Sequence, residues 1–127
     1  MAIKNTKKRI RKSFETGKVF IKANYNNTIV TLTDPSSNVL AWSTPGANGF
    51  KGARQSTPYA GQVSAEAVAE KAQAYGISSV DVYVNGMGPG RDQTIRGLIK
   101  KGLDVTSIAD TTRVPHGGCR SERQRRI

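Results

Sequence analysis

Val80-Asp81-Val82-Tyr83-Val84-Asn85-Gly86-Met87-Gly88-Pro89-Gly90-Arg91-Asp92-Gln93-Thr94-Ile95-Arg96-Gly97-Leu98-Ile99-Lys100-Lys101-Gly102 is the stretch that decides the fold. Val80, Val82 and Val84 alternate with other residues, which is the period of a strand. The strand closes on the glycine-rich turn Gly86 to Gly90. From about Asp92 to Lys101 the spacing becomes helical, with Ile95, Leu98 and Ile99 turned inward and Arg96, Lys100 and Lys101 outward. Gly102 stops that helix, and Val105 to Asp110 reads as a further strand. A strand, a crossover helix and a second strand in one sheet must leave the two strands parallel.

A second helix lies upstream, and no internal repeat is evident. Thr57-Pro58 supplies an N-cap and a first helical residue, and an Ala-rich run to Tyr75 ends at Gly76. Ala60, Val63 and Ala67 fall on one face of this helix, with Val68, Ala72 and Tyr75 beside them, and small residues allow close approach to a sheet. Before it lie three short strands. Lys18 to Ala23 alternates through Val19, Ile21 and Ala23; Asn26-Asn27 break the pattern; Thr28 to Thr33 resumes it; and Val39 to Ser43 follows the turn Asp34-Pro35-Ser36-Ser37-Asn38. Trp42, in a short alternating strand, is expected to pack in the core or on a sheet face in preference to serving as a ligand platform. Residues 44–56 show neither period and read as a flexible basic loop. The predicted fold is α/β: a five-stranded mixed sheet, an N-terminal antiparallel meander followed by parallel crossovers, with two helices and basic N- and C-terminal extensions.

Charge divides the chain the same way. The first twelve residues hold Lys4, Lys7, Lys8, Arg9, Arg11 and Lys12 and no acid, and residues 113–127 hold Arg113, Arg120, Arg123, Arg125 and Arg126 against Glu122. These ends carry +6 and +4 of the formal +11, leaving about +1 for residues 13–112. Runs of like charge cannot pack on themselves and stay solvated until a polyanion neutralises them, so the ends read as nucleic-acid-binding extensions. Residues 1–13 are taken as a basic arm, 14–112 as a single α/β RNA-binding domain and 113–127 as a basic tail. A chain of 127 residues supports one core. The acid-free start lacks the Ser-rich amphipathic pattern of a transit peptide and runs straight into a strand, so it reads as an arm of the mature protein. No apolar stretch approaches the roughly 18 residues of a membrane span, and no membrane partner is expected. A lone cysteine, Cys119, excludes an internal disulfide and suits a reducing compartment.

Three motifs carry candidate chemistry. In Gly86 to Gly90, glycines let backbone N–H groups approach an anion, the following helix adds a favourable dipole, and Arg91 offers a forked donor. A dinucleotide is one possible anion, with Asp110 about twenty residues on in the place of the ribose-binding acid. The spacing is GxGxG and not GxGxxG, however, and no second nucleotide-binding half fits. A purely structural turn is the other reading. The Gly46 to Arg54 loop mixes Gly with Lys but lacks GxxxxGK[ST], which removes a P-loop. There, Phe50 either stacks on an unpaired base beside Lys51 or tucks back into the core. His116-Gly117-Gly118-Cys119 has two good metal ligands, but one His and one Cys cannot fill a four-ligand zinc site, and a glycine-flanked tail gives a Cys–His pair no rigid frame. No catalytic constellation, cofactor or metal is expected.

Four stretches together resemble bacterial-type small-subunit ribosomal protein eleven. They are Asn26-Asn27-Thr28-Ile29-Val30-Thr31-Leu32-Thr33-Asp34, Gly49-Phe50-Lys51-Gly52-Ala53-Arg54, Gly88-Pro89-Gly90-Arg91-Asp92 and Pro115-His116-Gly117-Gly118-Cys119-Arg120, in that order over residues 14–126. The resemblance implies a non-enzymatic constituent of the small ribosomal subunit in the cytoplasm, an organellar ribosome being the lesser alternative. It implies that the protein bridges helices of the ribosomal RNA on the platform, near the messenger exit path. Small-subunit proteins six, seven, eighteen and twenty-one would be its neighbours, with messenger RNA nearby and no homo-oligomer. In family members the arms and glycine loops enter the RNA. Lys4, Lys7, Lys8, Arg9, Arg11, Lys12, Asn26, Asn27, Phe50, Lys51, Arg54, Gly88, Gly90, Arg91, Arg96, His116, Arg120, Arg123, Arg125 and Arg126 are therefore the candidate RNA-binding residues. A free-standing RNA- or nucleotide-binding regulator of the same fold is the alternative.

Two departures from the family pattern stand out. Where the family reads Pro-His-Asn-Gly-Cys-Arg-Pro-Pro-Lys, this chain has Gly117 in place of Asn and Ser121-Glu122-Arg123-Gln124 in place of the proline-rich basic run. The Asn that forms isoaspartate in some members is absent, and the tail loses stiffness and some charge.

Overall fold

The computed structural model describes residues 14–124. Strands β1 (Thr16–Ala23), β2 (Thr28–Thr33) and β3 (Val39–Ser43) are followed by helix α1 (Pro58–Ala74), strand β4 (Ser79–Asn85), helix α2 (Arg91–Lys100) and strand β5 (Asp104–Asp110). The sheet order is β3-β2-β1-β4-β5. β2 runs antiparallel to both β1 and β3, while β4 is parallel to β1 and β5 to β4, which gives the expected mixed sheet.

Alternation in the strands sends one set of side chains into the core. Val19, Ile21, Val30, Leu32, Val80, Val82 and Val84 are buried under the helices, each contributing about 1.5–3 kcal/mol relative to exposure. Both helices cover this same face and lie against each other. Gly61 and Gly97 make that possible: a Cβ on Gly61 would stand 2.7 Å from Thr94 Oγ1, and one on Gly97 would stand 2.8 Å from the Gln62 carbonyl oxygen. Lys100 to Glu66 (3.5 Å) and Lys101 to Glu70 (3.3 Å) tie the helices further along. Thr57 caps α1 through Oγ1, which accepts the Ala60 N–H at 3.2 Å, and Gly76 takes the left-handed conformation (φ 78°) that ends it.

Several expectations require correction. The buried face of α1 is Ala60, Gly61, Ser64, Ala65, Val68, Ala69 and Ala72; Val63 and Ala67 lie on its margin and are only half-buried. The helix contacts α2 as well as the sheet, so its buried arc is set by two neighbours. In α2 the buried residues are Thr94, Gly97 and Leu98, and Ile99 is 54% exposed because only one flank of this helix meets α1. Of the two places expected for Trp42 the structure takes the sheet face and not the core: it is 56% exposed, since its strand neighbours Ala41 and Ser43 pair with the core residues Leu32 and Val30 and so turn it to the helix-free side. Residues 44–56 are not shapeless: Gly46–Asn48 and Gly52–Ser56 form two 3-10 turns.

Candidate nucleic-acid interface

Strand direction gathers the candidate loops at one place. β1, β3, β4 and β5 all point the same way, so the turn after β1, the segment after β3, the glycine turn after β4 and the tail after β5 all leave from the carboxyl edge of the sheet. Both helices begin there too, since the Cβ position of Gly61 lies 3.2 Å from the Gly90 carbonyl oxygen. In open α/β sheets this edge is the usual place for ligands, where loops are free to vary and helix N-termini bring partial positive charge.

The β1–β2 turn is organised by Asn24. Its Oδ1 accepts the N–H groups of Asn26 (3.0 Å) and Asn27 (2.7 Å), while its own N–H donates to the Asn27 carbonyl oxygen at 2.9 Å. Asn27 Oδ1 in turn accepts the Thr28 N–H. Tyr25, at the tip, is 74% exposed. The turn thus offers the Asn26 amide and a phenol ring outward.

After β3, Gly49 (φ 89°) and Gly52 (φ 57°) adopt conformations that L side chains rarely take, and open space surrounds both. Lys51 and Arg54, in the same segment, are exposed. Phe50 neither enters the core nor stands free: it is half-buried and meets Tyr59, in the first turn of α1, edge to face at 5.9 Å. Tyr59 itself is 64% exposed.

The glycine turn is built by close packing. A Cβ on Gly86, whose φ is 95°, would collide with the Ala23 carbonyl oxygen, and one on Gly88 would collide with that of Asn24. These glycines let the turn lie directly on the end of β1. Arg91 turns its fork inward, donating Nη1 to the Gly86 carbonyl oxygen at 2.7 Å and Nη2 to Asp110 Oδ2 at 2.9 Å. Asp110 Oδ1 accepts the Thr112 hydroxyl and the Thr112 N–H (3.0 Å), and Thr112 Oγ1 accepts the Gly86 N–H at 3.1 Å. The Thr112 hydroxyl, then Arg91 and the Thr112 N–H, hold the Asp110 carboxyl well below the usual carboxylate range. The acid that a dinucleotide reading assigns to a ribose is thus already hydrogen-bonded within the chain.

Downstream, His116, Cys119, Arg120 and Arg123 are exposed in an irregular tail. Among the described residues no group of three or more His, Cys, Asp or Glu is placed to hold a metal. Arg96 stands apart, exposed on α2 and roughly 7.5 Å along its axis from the first residue. Lys4, Lys7, Lys8, Arg9, Arg11, Lys12, Arg125 and Arg126 lie outside the described residues. The sequence reading overlooked Asn24, Tyr25, Tyr59 and Thr112. Tyr25 was open to detection as an aromatic inside an Asn-rich turn, whereas Thr112 carries no local signal.

Comparison with known proteins gives the family. The family described as Ribosomal protein S11 matches residues 17–126. The chain is 52% identical over 124 residues to small ribosomal subunit protein uS11 of Thermus thermophilus, covering 98% of this chain and 96% of that one. It is 50% identical over 121 residues to the protein of the same name from Psychromonas ingrahamii (95% and 94%) and 47% identical over 122 residues to that of Idiomarina loihiensis (96% and 95%). With a match across nearly its whole length and half its residues identical, the chain belongs to the ribosomal protein S11 family, a family of structural proteins and not of enzymes.

Proposed function

We propose that this protein is a structural constituent of the small ribosomal subunit that binds and bridges helices of the ribosomal RNA on the platform, close to the messenger exit path. The observation that carries the proposal is the convergence of three loops, the tail and two helix starts on one edge of the sheet. Lys51 and Arg54 neutralise phosphates from the 44–57 segment. Asn26, Asn27 and Phe50 add hydrogen bonds and a stacking surface to unpaired nucleotides. The glycine turn, braced by Arg91, brings the backbone N–H groups of Met87 and Gly88 to a phosphate, since Pro89 has none and Gly90 is buried, and His116, Arg120 and Arg123 follow the RNA along the tail. Arg96 addresses a separate backbone from the helical layer. The cationic ends, Lys4 to Lys12 and Arg125 to Arg126, supply most of the counterion release that drives binding. Neighbouring small-subunit proteins six, seven, eighteen and twenty-one complete the setting.

Sedimentation and crosslinking test this reading. The protein should migrate with the small subunit through washes at moderate salt, and its crosslinks should fall on platform helices of the RNA. Release at the first wash, with the subunit intact, would point to a free-standing regulator.

A further inference from the structure

The sheet face without helices carries a line of register partners running across every strand: Trp42 on β3, Thr31 on β2, Phe20 on β1, Tyr83 on β4 and Ala109 on β5. Phe20 and Tyr83 stack on each other, with centroids 5.1 Å apart and planes 17° from parallel. Phe20 is 38% exposed, in addition to the outward-turned Trp42. An exposed aromatic row on a sheet costs solubility, and nothing in the fold requires it.

We propose that this face is a stacking platform for unpaired RNA bases, a site separate from the carboxyl-edge loops and one that deepens the RNA-binding reading on which it rests. The observations favour RNA over a protein partner. Along β1 the open-face residues are Lys18, Phe20 and Lys22, so an aromatic sits between two cations, each about 6.6 Å away along the strand. That alternation suits a base on the ring with backbone phosphates on either side. A protein interface would instead place its lysines at the rim, because lysine is depleted from desolvated interface cores. Along β1 the apolar strip is one residue deep with lysines on both flanks, and Ile29, the register partner of Lys22, widens it by one residue on β2.

The small Thr31 separates Trp42 from Phe20 by two strand spacings, roughly 9.6 Å, which leaves a slot wide enough for a base occupying about 3.4 Å of a stack. Two carboxylates of the strands share this face: Asp104, the register partner of Ser79, at its amino end, and Asp81. Asp81 lies beside Lys18 and accepts from Thr106 at 2.6 Å and Ser107 at 2.9 Å. The strand therefore leaves its Lys22 end, next to the β1–β2 turn, as the more cationic approach for the backbone.

The chain has one tryptophan, and it lies on this face, so its emission reports occupancy directly. The full-length protein is titrated with a mixed-sequence single-stranded RNA of about ten nucleotides and with a hairpin duplex of equal charge. The single strand should quench Trp42 and the duplex should not. Phe20→Leu, which keeps apolar bulk without the ring, should weaken single-strand binding about tenfold while leaving duplex affinity and salt slope unchanged. Should Phe20→Leu fail to fold, Trp42→Leu on the edge strand, read by anisotropy of labelled RNA, should show the same selective loss. Wild-type single-strand affinity in a folded variant, or equal quenching by both RNAs, overturns the platform and leaves the ribosomal reading standing. If the wild-type chain binds neither RNA, both readings fall.

Discussion

Arg91 and Asp110, 19 residues apart in sequence, are joined at 2.9 Å, and the same guanidinium holds the Gly86 carbonyl oxygen at 2.7 Å. The pair ties the start of α2 to the end of β5. Through Thr112 it also fixes the point at which the tail leaves the sheet.

This network makes stability depend on pH in a defined window. The Asp110 carboxyl is held below its unfolded value of about 3.9, so its contribution is complete above that value and drains away as pH falls towards the folded one. Asp110→Asn should be less stable than the wild type near neutrality, and the difference should shrink in acid. Urea unfolding at a series of pH values checks this. A stability gap constant down to the acid limit would show that the carboxylate charge is not what the network uses.

Gly86→Ala should destabilise the protein by at least about 2 kcal/mol, because both the left-handed backbone and the contact with the Ala23 carbonyl oxygen oppose a side chain. Gly49→Ala meets only the backbone penalty, about 1–2 kcal/mol, since nothing lies within 4 Å of its Cβ position. Chemical denaturation of the two variants separates packing from conformation.

Affinity for RNA should fall on the order of 10³–10⁵-fold between about 50 and 200 mM salt if some 6–10 phosphates are engaged. Lys51→Gln with Arg54→Gln should lower the logarithmic salt slope by about 2. Filter binding across a salt series measures it.

In the tail, Cys119→Ser should leave subunit assembly nearly unchanged, whereas Arg120→Ala should weaken it by removing a charge-assisted phosphate contact. Reconstitution of small subunits with each variant provides the comparison. Assembly lost on Cys119→Ser, with Arg120→Ala silent, would reverse the assignment.

Local signals were easy to read where chemistry is local. Thr57-Pro58 announces α1 because a hydroxyl cap and a missing N–H both belong at a helix start, and the alternating valines of β4 allow only one buried face. Exposure was harder to read. Trp42 and Ile99 look like core residues, yet two helices cannot cover a five-stranded sheet on both sides, and no single window shows which face stays bare. The Ala-rich composition of α1 blurred its buried arc for the same reason: small residues surround the whole helix, and only the neighbouring α2 selects Gly61 and Ala65. At the interface, Lys51 and Arg54 announced themselves by charge. The turn that Arg91 braces needed partners 5 and 19 residues away, beyond any spacing rule.

Phe14, whose N–H donates to the Tyr75 carbonyl oxygen, enters the fold at the amino edge of the sheet, while Thr111, bonded to the Val84 carbonyl oxygen, leaves it at the other. An eight-residue strand separates those edges by roughly 26 Å, about three times the ~8 Å Debye length of physiological salt. These two points of the fold, at Phe14 and Thr111, are therefore electrically deaf to each other. Neutralising charge at one point does nothing to relax repulsion at the other, so charge substitutions placed at the two edges should multiply in affinity with no coupling between them. The sheet acts as an insulating spacer between its two edges, each of which can be charged or neutralised alone.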